Sequence, residues 1–173
     1  MISLVKRDRK VIDLFSNAIY GKNFVKNKRG TNGRQPSVSL SVYGDSFAKH
    51  LVNLGCSERK TDNLSLRKIL KLPFNLSCDF IRGFFDGDGC IHVRRVQWKS
   101  GRGSGIFANF SIASHKKVLF QLKRFFESFG LKTGLNMQSE KFGSIVLWRN
   151  NDIKWLYNNL YKGCGELFLD RKK

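Results

Sequence analysis

Two aspartates, Asp86 and Asp88, close the stretch Phe80-Ile81-Arg82-Gly83-Phe84-Phe85-Asp86-Gly87-Asp88-Gly89. A carboxylate held at the end of a rigid element is a natural ligand for a hard divalent cation such as Mg²⁺. The apolar run before the acids predicts a helix that starts near Ser77 or Asp79, either able to act as N-cap, after the loop at Pro73. It should end at Gly87 or Gly89, residues suited to a left-handed C-cap. Gly83 and Gly87 then lie one turn apart on one face, where a second helix can approach almost backbone to backbone. Asp88 falls at the negative end of the helix dipole, which disfavours a carboxylate by about 0.3–1 kcal/mol; a bound cation reverses that sign. From spacing alone two readings stay open, a metal ligand at the foot of a packed helix and a solvated Asp-Gly turn. An EF-hand calcium loop does not fit, because counting from Asp86 its sixth position is Ile91 instead of Gly and its twelfth Gln97 instead of Glu.

The nine residues Ile81 to Gly89 resemble the signature of the LAGLIDADG homing endonucleases, with Gly83, Asp86, Asp88 and Gly89 in register. Arg82 stands where that family usually has a small residue. The resemblance implies an α+β fold with curved antiparallel sheets, helices packed on one face and pseudo-repeated halves. It implies two signature helices packed together, the second acid of each binding the divalent metals that cut DNA. By position that acid is Asp88, with the Gly87 carbonyl as a second oxygen and Mg²⁺ as the favoured ion. It also makes Lys60 and Lys172, each preceded by Arg and each ending a half-domain, the lysines near the scissile phosphate; ordinary phosphate-contacting or solvated lysines are the rival reading. Asp86 is expected to help terminate the helix.

Composition agrees with a polyanionic partner. Lys and Arg outnumber Asp and Glu by 32 to 13, giving a net charge of +19 and a pI near 10.2; nucleic acid comes first, an anionic membrane a distant second. A hydrophobic content of 41%, fifteen Phe and only two Pro are ample for a packed interior in 173 residues. No apolar run approaches the roughly 18 residues of a membrane span. Cys56, Cys78, Cys90 and Cys164 form no Cys-x-x-Cys pair, so reduced thiols in an intracellular compartment are the simplest account. His50, His92 and His115 are scattered and read as incidental, and Gly101-Arg102-Gly103-Ser104-Gly105 lacks the Lys and following helix of a phosphate loop.

The elements around the acids read as follows. A strand over Met1 to Lys6 precedes an amphipathic helix from about Asp8 to Tyr20, stopped at Gly21. A strand over Asn23 to Arg29, a turn at Gly30-Thr31-Asn32-Gly33 and a half-exposed strand over Ser37 to Tyr43 come next, then a helix Ser46 to Leu54 capped by Asp45. After the central helix, strands over Cys90 to Gln97 and Ile106 to Ala113 flank a basic loop. Ser114 caps a helix to Phe129, a hairpin covers Leu131 to Arg149, and a last helix starts at Asn151 or Asp152 and runs through Tyr161.

These elements repeat. Lys10-Val11-Ile12 matches Lys117-Val118-Leu119, and Ser37-Val38-Ser39-Leu40 matches Ser144-Ile145-Val146-Leu147, both pairs 107 positions apart. The repeat is unequal, since the first copy begins in what corresponds to the end of the second strand. Residues 1–72 are therefore expected to form a truncated N-terminal half-domain and residues 73–173 a complete LAGLIDADG half-domain. The chain resembles a double-motif protein lacking its first segment. A second chain is expected across the Phe80–Gly89 helix, a partner supplying the missing elements in preference to a homodimer.

Double-stranded DNA is the expected partner. A twisted antiparallel ribbon fits the major groove and points alternate side chains at base edges. The candidates are Arg94, Gln97, Lys99, Arg102, Asn109 and Ser111 in the second half, with Lys26, Lys28, Arg34 and Ser39 in the first. The first functional reading is a site-specific, metal-dependent homing endonuclease subunit or fragment. The alternatives are a binding-only relative, either an intron RNA maturase or a DNA-binding regulator, and an unrelated basic RNA-associated α+β protein.

Overall fold

The computed structural model describes residues 1–30, 35–56, 64–97 and 103–172. They form two compact units, Met1–Lys49 with Gly163–Lys173, and His50–Lys162. Division by repeat would run between residues 72 and 73; division by packing assigns two segments differently. Leu66 and Ile69 are buried and the Leu66 amide donates to Gln121 Oε1 at 2.6 Å, which ties that segment to the second unit. The C-terminal tail joins the first unit through Arg171, whose Nε donates to the buried Asp8 carboxylate at 3.2 Å, and Glu166, which accepts from Lys10 at 3.0 Å.

In the first unit, β1 (Ile2–Val5), β2 (Lys26–Lys28) and β3 (Ser37–Leu40) form an antiparallel sheet in the order β1-β3-β2. Helix α1 (Arg9–Tyr20) packs on it through Ile12 against Val38 and Leu40, and Gly21 ends the helix at φ 65°, its amide donating to Asn17 O. The strand expected over Ser37 to Tyr43 is shorter and, instead of being half exposed, buries Val38, Ser39 and Leu40 in succession. Its central place explains this: β1 and β2 cover both of its edges. Of the expected turn, residues 31–33 lie outside the described residues. Helix α2 (Asp45–Asn53) follows and buries none of its residues.

In the second unit, helix α3 (Phe74–Asp88) runs into β4 (Gly89–Gln97), which pairs with β5 (Ser104–His115). Helix α4 (Lys116–Ser128), β6 (Gly134–Met137), β7 (Phe142–Leu147) and α5 (Asn150–Tyr161) complete an antiparallel sheet in the order β4-β5-β7-β6 with its helices on one face. α4 forms because Val118, Leu119, Leu122 and Phe126 recur at helical spacing and are all buried. Its cap is His115 rather than Ser114: the ring Nδ1 accepts the Lys117 amide at 3.3 Å. Helix and sheet meet at Phe85, which stacks on Phe110 with ring centroids 4.5 Å apart. Burying one such ring is worth about 1.5–3 kcal/mol.

Both ends of α3 differ from the sequence expectation. The helix starts at Phe74 with Pro73 in the cap position, because proline fixes the entry dihedral and has no amide to satisfy. Ser77 sits inside the helix, where its hydroxyl donates to the Ile69 carbonyl at 3.0 Å, with the Leu72 carbonyl 3.3 Å away as an alternative acceptor. At the other end Gly89 is extended (φ −90°, ψ 164°), not left-handed, and the chain passes directly into β4. Glycine is required there for space: a Cβ would overlap the Phe85 ring.

Among the described residues, no helix is long and apolar enough to cross a membrane. All four cysteines are free thiols. Burial pushes the Cys78 thiol up to about 11.

Candidate metal-binding helix and nucleic-acid face

α3 is two-faced. Cys78, Ile81, Arg82 and Phe85 are buried against the rest of their unit. Leu76, Phe80, Gly83, Phe84 and Gly87 form a stripe on another face; Leu76 is 45% exposed, and both glycines are open. Among the described residues a Cβ built at Gly83 or Gly87 meets nothing within 4 Å outside the helix's own backbone. At the foot of this helix stands Asp88, its last residue, exposed to solvent. The terminal carbonyls of a helix have no intrahelical donors, so the Gly87 carbonyl belongs to an oxygen-rich helix end. Among the described residues no three His, Cys, Asp or Glu side chains come together as a metal cage. Asp88 thus presents an exposed carboxylate at the helix end, with no such cluster around it among the described residues.

Two polar residues fix the orientation of α3, and sequence reasoning missed both. Arg82, only 7% exposed, donates from Nη1 to Asp79 Oδ1 at 2.7 Å and to the Leu160 carbonyl at 2.9 Å. That carbonyl lies in the last turn of α5, where a cation complements the helix dipole. Asp86, in the last turn of α3, is buried and accepts from the Tyr161 hydroxyl at 3.0 Å. The available signal was position: residues 78, 82 and 85 share a helical face with 81 and 86, so charges there had to find partners inside. Tyr161→Phe should remove about 1–3 kcal/mol of stability by withdrawing a donor from a buried carboxylate. Urea denaturation measures it, and an unchanged midpoint would remove this bond from the account of how α3 is held.

The strand register sorts the nucleic-acid candidates. Cys90 lies opposite Ser111, His92 opposite Asn109 and Arg94 opposite Phe107, which places Arg94, Asn109 and Ser111 on one face with His92 and Phe107. The other face carries Phe110 and Ile112 into the core below the helices. Gln97, opposite Ser104, belongs to that second face at the strand end, apart from the other three. In the first unit Lys26 and Lys28 pair with Ser39 and Ser37, so they share the face opposite Val38 and Leu40. Ser39 lies on this face but is 5% exposed, shielded between its neighbours, whereas both lysines are open. Lys172 lies in the terminal turn Asp170–Lys172 of the first unit. Lys60, Arg34, Lys99 and Arg102 lie outside the described residues. His92 and Phe107 were not singled out from sequence, although the alternation that selected Arg94 and Asn109 also selects them.

Residues 81–163 match the family model of the LAGLIDADG endonucleases. The resemblance read from Ile81 to Gly89 is borne out over that region. Among solved structures, the LAGLIDADG meganuclease I-AabMI bound to uncleaved DNA is similar at 14% identity and a TM-score of 0.58, over 91% of this chain and 72% of that one. A mutant of I-SmaMI gives 12% identity and a TM-score of 0.56 over 92% and 72%. The homing endonuclease I-TnaI is 22% identical with a TM-score of 0.39, over 47% of this chain and 56% of its own. The chain thus spans little more than half the length of I-TnaI, and of I-CvuI, where it covers 55%. No curated protein matches in sequence. The fold, antiparallel sheets backed by helices, is that of LAGLIDADG homing endonucleases.

Proposed function

We propose that this chain, built around a LAGLIDADG endonuclease module, is one part of a site-specific double-strand DNA endonuclease that becomes complete when a second signature helix docks on α3. The observation that carries the reading is the open stripe Leu76, Phe80, Gly83, Phe84 and Gly87 with Asp88 exposed at its foot. A second helix there would bring a second acid beside Asp88 and cover apolar surface now in water. The Asp88 carboxylate and the Gly87 carbonyl would hold a divalent ion. The donor set fits, since both atoms are hard oxygens at a helix end that repels uncompensated negative charge. When bound, Mg²⁺ supplies charge stabilisation at the phosphate and an activated water.

The chain's own residues do the rest. Arg82 and Asp86, tied to α5, hold α3 against tilting, so Asp88 keeps its place while DNA binds. Arg94, Asn109 and Ser111 face the major groove from the open side of the four-stranded sheet, Arg94 suited to guanine and Asn109 to adenine. Lys26 and Lys28 serve the same purpose from the three-stranded sheet. Lys172 and Lys60 neutralise charge at the scissile phosphate. A separate polypeptide, or a further segment, supplying a helix and strands is the favoured partner over a second copy, because β1 is a sheet edge open to pairing. The lone carboxylate supports a second reading, binding of DNA or intron RNA without cleavage, which holds if no partner restores activity.

Binding should be strongly electrostatic. The slope of log K against log salt is expected near −0.9 for each phosphate neutralised, so several contacts cost orders of magnitude between low and physiological salt. A flat titration of a duplex library would remove duplex DNA as the partner. The cleavage test itself is Mg²⁺-dependent cutting of that library, with and without a peptide supplying the second helix.

A further inference from the structure

A second basic surface lies on the other side of the same unit. A groove of about 680 Å³ runs along the outer side of α4, between that helix, the segment Arg67 to Lys71 and the turn at Glu140 and Lys141. Its walls are fixed without a ligand: the Leu66 amide donates to Gln121 Oε1 at 2.6 Å, and the Lys116 amide donates to the Lys141 carbonyl at 2.7 Å. Among the described residues six cations line it, Arg67, Lys71, Lys116, Lys117, Arg124 and Lys141, against one carboxylate, Glu140. None of the six is in an ion pair among the described residues.

Local helix chemistry argues against this arrangement unless something binds. Lys116 and Lys117 occupy the first turn of α4, where no acid is present. Cations there oppose the helix dipole, and a nearby anion would offset that cost. The groove also has an aromatic side: Phe120 is 42% exposed, one helical turn from both Lys117 and Arg124. A solvated basic helix has no need of an exposed phenyl ring between its cations. Phosphates alternating with bases would use both groups.

We propose that this groove holds an unpaired nucleic-acid strand, its phosphates on the six cations and a base stacked on Phe120. An extended strand presents phosphates and bare base faces together, which suits cations flanking an exposed ring, whereas the bases of a duplex are stacked and cannot reach Phe120. Because α4 packs its buried side onto β5 and β7, the groove opens away from the face carrying Arg94, Asn109 and Ser111. Strand and duplex can therefore be held at once. The inference does not depend on cleavage, and its test separates the two surfaces.

Fluorescence anisotropy with labelled oligo(dT) and oligo(U) of about twelve nucleotides, in the presence and absence of saturating duplex, decides it. Lys117→Glu with Arg124→Glu should weaken strand binding about tenfold or more at moderate salt, with duplex affinity within about twofold. Phe120→Ala should cost about tenfold with charge unchanged. Arg94→Ala should weaken duplex binding and leave the strand alone. Binding of either oligonucleotide in this pattern supports the proposal, and a preference for one of them identifies the strand as DNA or RNA. The proposal is overturned if strand and duplex compete, if the charge reversals change nothing, or if polyglutamate binds where neither oligonucleotide does. Thermal unfolding of the double variant is the folding control: the acid at position 117 suits the first turn of α4 and the one at position 124 does not, so a Tm close to the parent value is expected.

Discussion

Asp88→Asn is expected to abolish DNA cleavage, by about a thousandfold or more, while duplex affinity stays within about twofold. The magnitude follows from what the carboxylate would do. A metal ligand lost at a phosphoryl centre removes several kcal/mol of transition-state stabilisation, and about 4 kcal/mol is a factor near a thousand in rate. Affinity should survive because binding rests on the many cations of a +19 chain, not on one acid. Folding should survive as well, since Asp88 is exposed and asparagine at a helix end removes a charge that the dipole disfavours. The two readouts must separate: single-turnover cleavage in Mg²⁺ with the partner helix supplied, and duplex binding by anisotropy in its absence. Cutting at the parental rate would rule out Asp88 as an essential ligand. Equal loss of binding and cutting would mean that the substitution acts on DNA contact instead.

The acid and its helix were legible because their signals are local. Gly83, Gly87 and Asp88 are set by spacing along one helix, and the structure puts the glycines on an open stripe and the acid at its end. The strand faces were equally legible, because a period of two fixes which residues share a side, as Arg94, Asn109 and Ser111 do. What escaped the sequence was pairing over long separations. Asp86 looked like a terminator because its neighbours are glycines, yet its partner Tyr161 is 75 positions away. Arg82 looked like a mild departure from a pattern, yet its guanidinium binds the end of a helix 78 positions on. Ser39 looked half exposed because its strand alternates, but a central strand is covered from both sides whatever its pattern. The tail from Gly163 reads as a closing segment of the second half; its packing with the first unit rests on Asp8, to which Arg171 donates across 163 positions.

Gly83→Leu should abolish assembly and cleavage while leaving the isolated chain as stable as before or slightly more so. Among the described residues nothing outside the helix's own backbone lies within 4 Å of a Cβ at this position, so a larger side chain has room to start from there. Exchanging a mid-helix glycine for leucine also restores roughly 0.5–1 kcal/mol of helix propensity. A packed partner changes the sign. Small residues matter on a helix face only where another backbone comes close, and a leucine pointing into that gap forces the helices apart and moves Asp88 away from the second acid. The substitution therefore separates a partnered helix from a merely solvated one, which most interface variants cannot do. Light scattering of the chain alone and with the partner peptide gives the assembly state; urea denaturation of the chain alone gives the stability; the Mg²⁺ cleavage assay gives the activity. Loss of assembly and cutting with the unfolding midpoint held or raised is the expected result. A variant that still assembles and cuts would show that α3 does not pack through Gly83, and an active parental monomer would show that one Asp88 suffices.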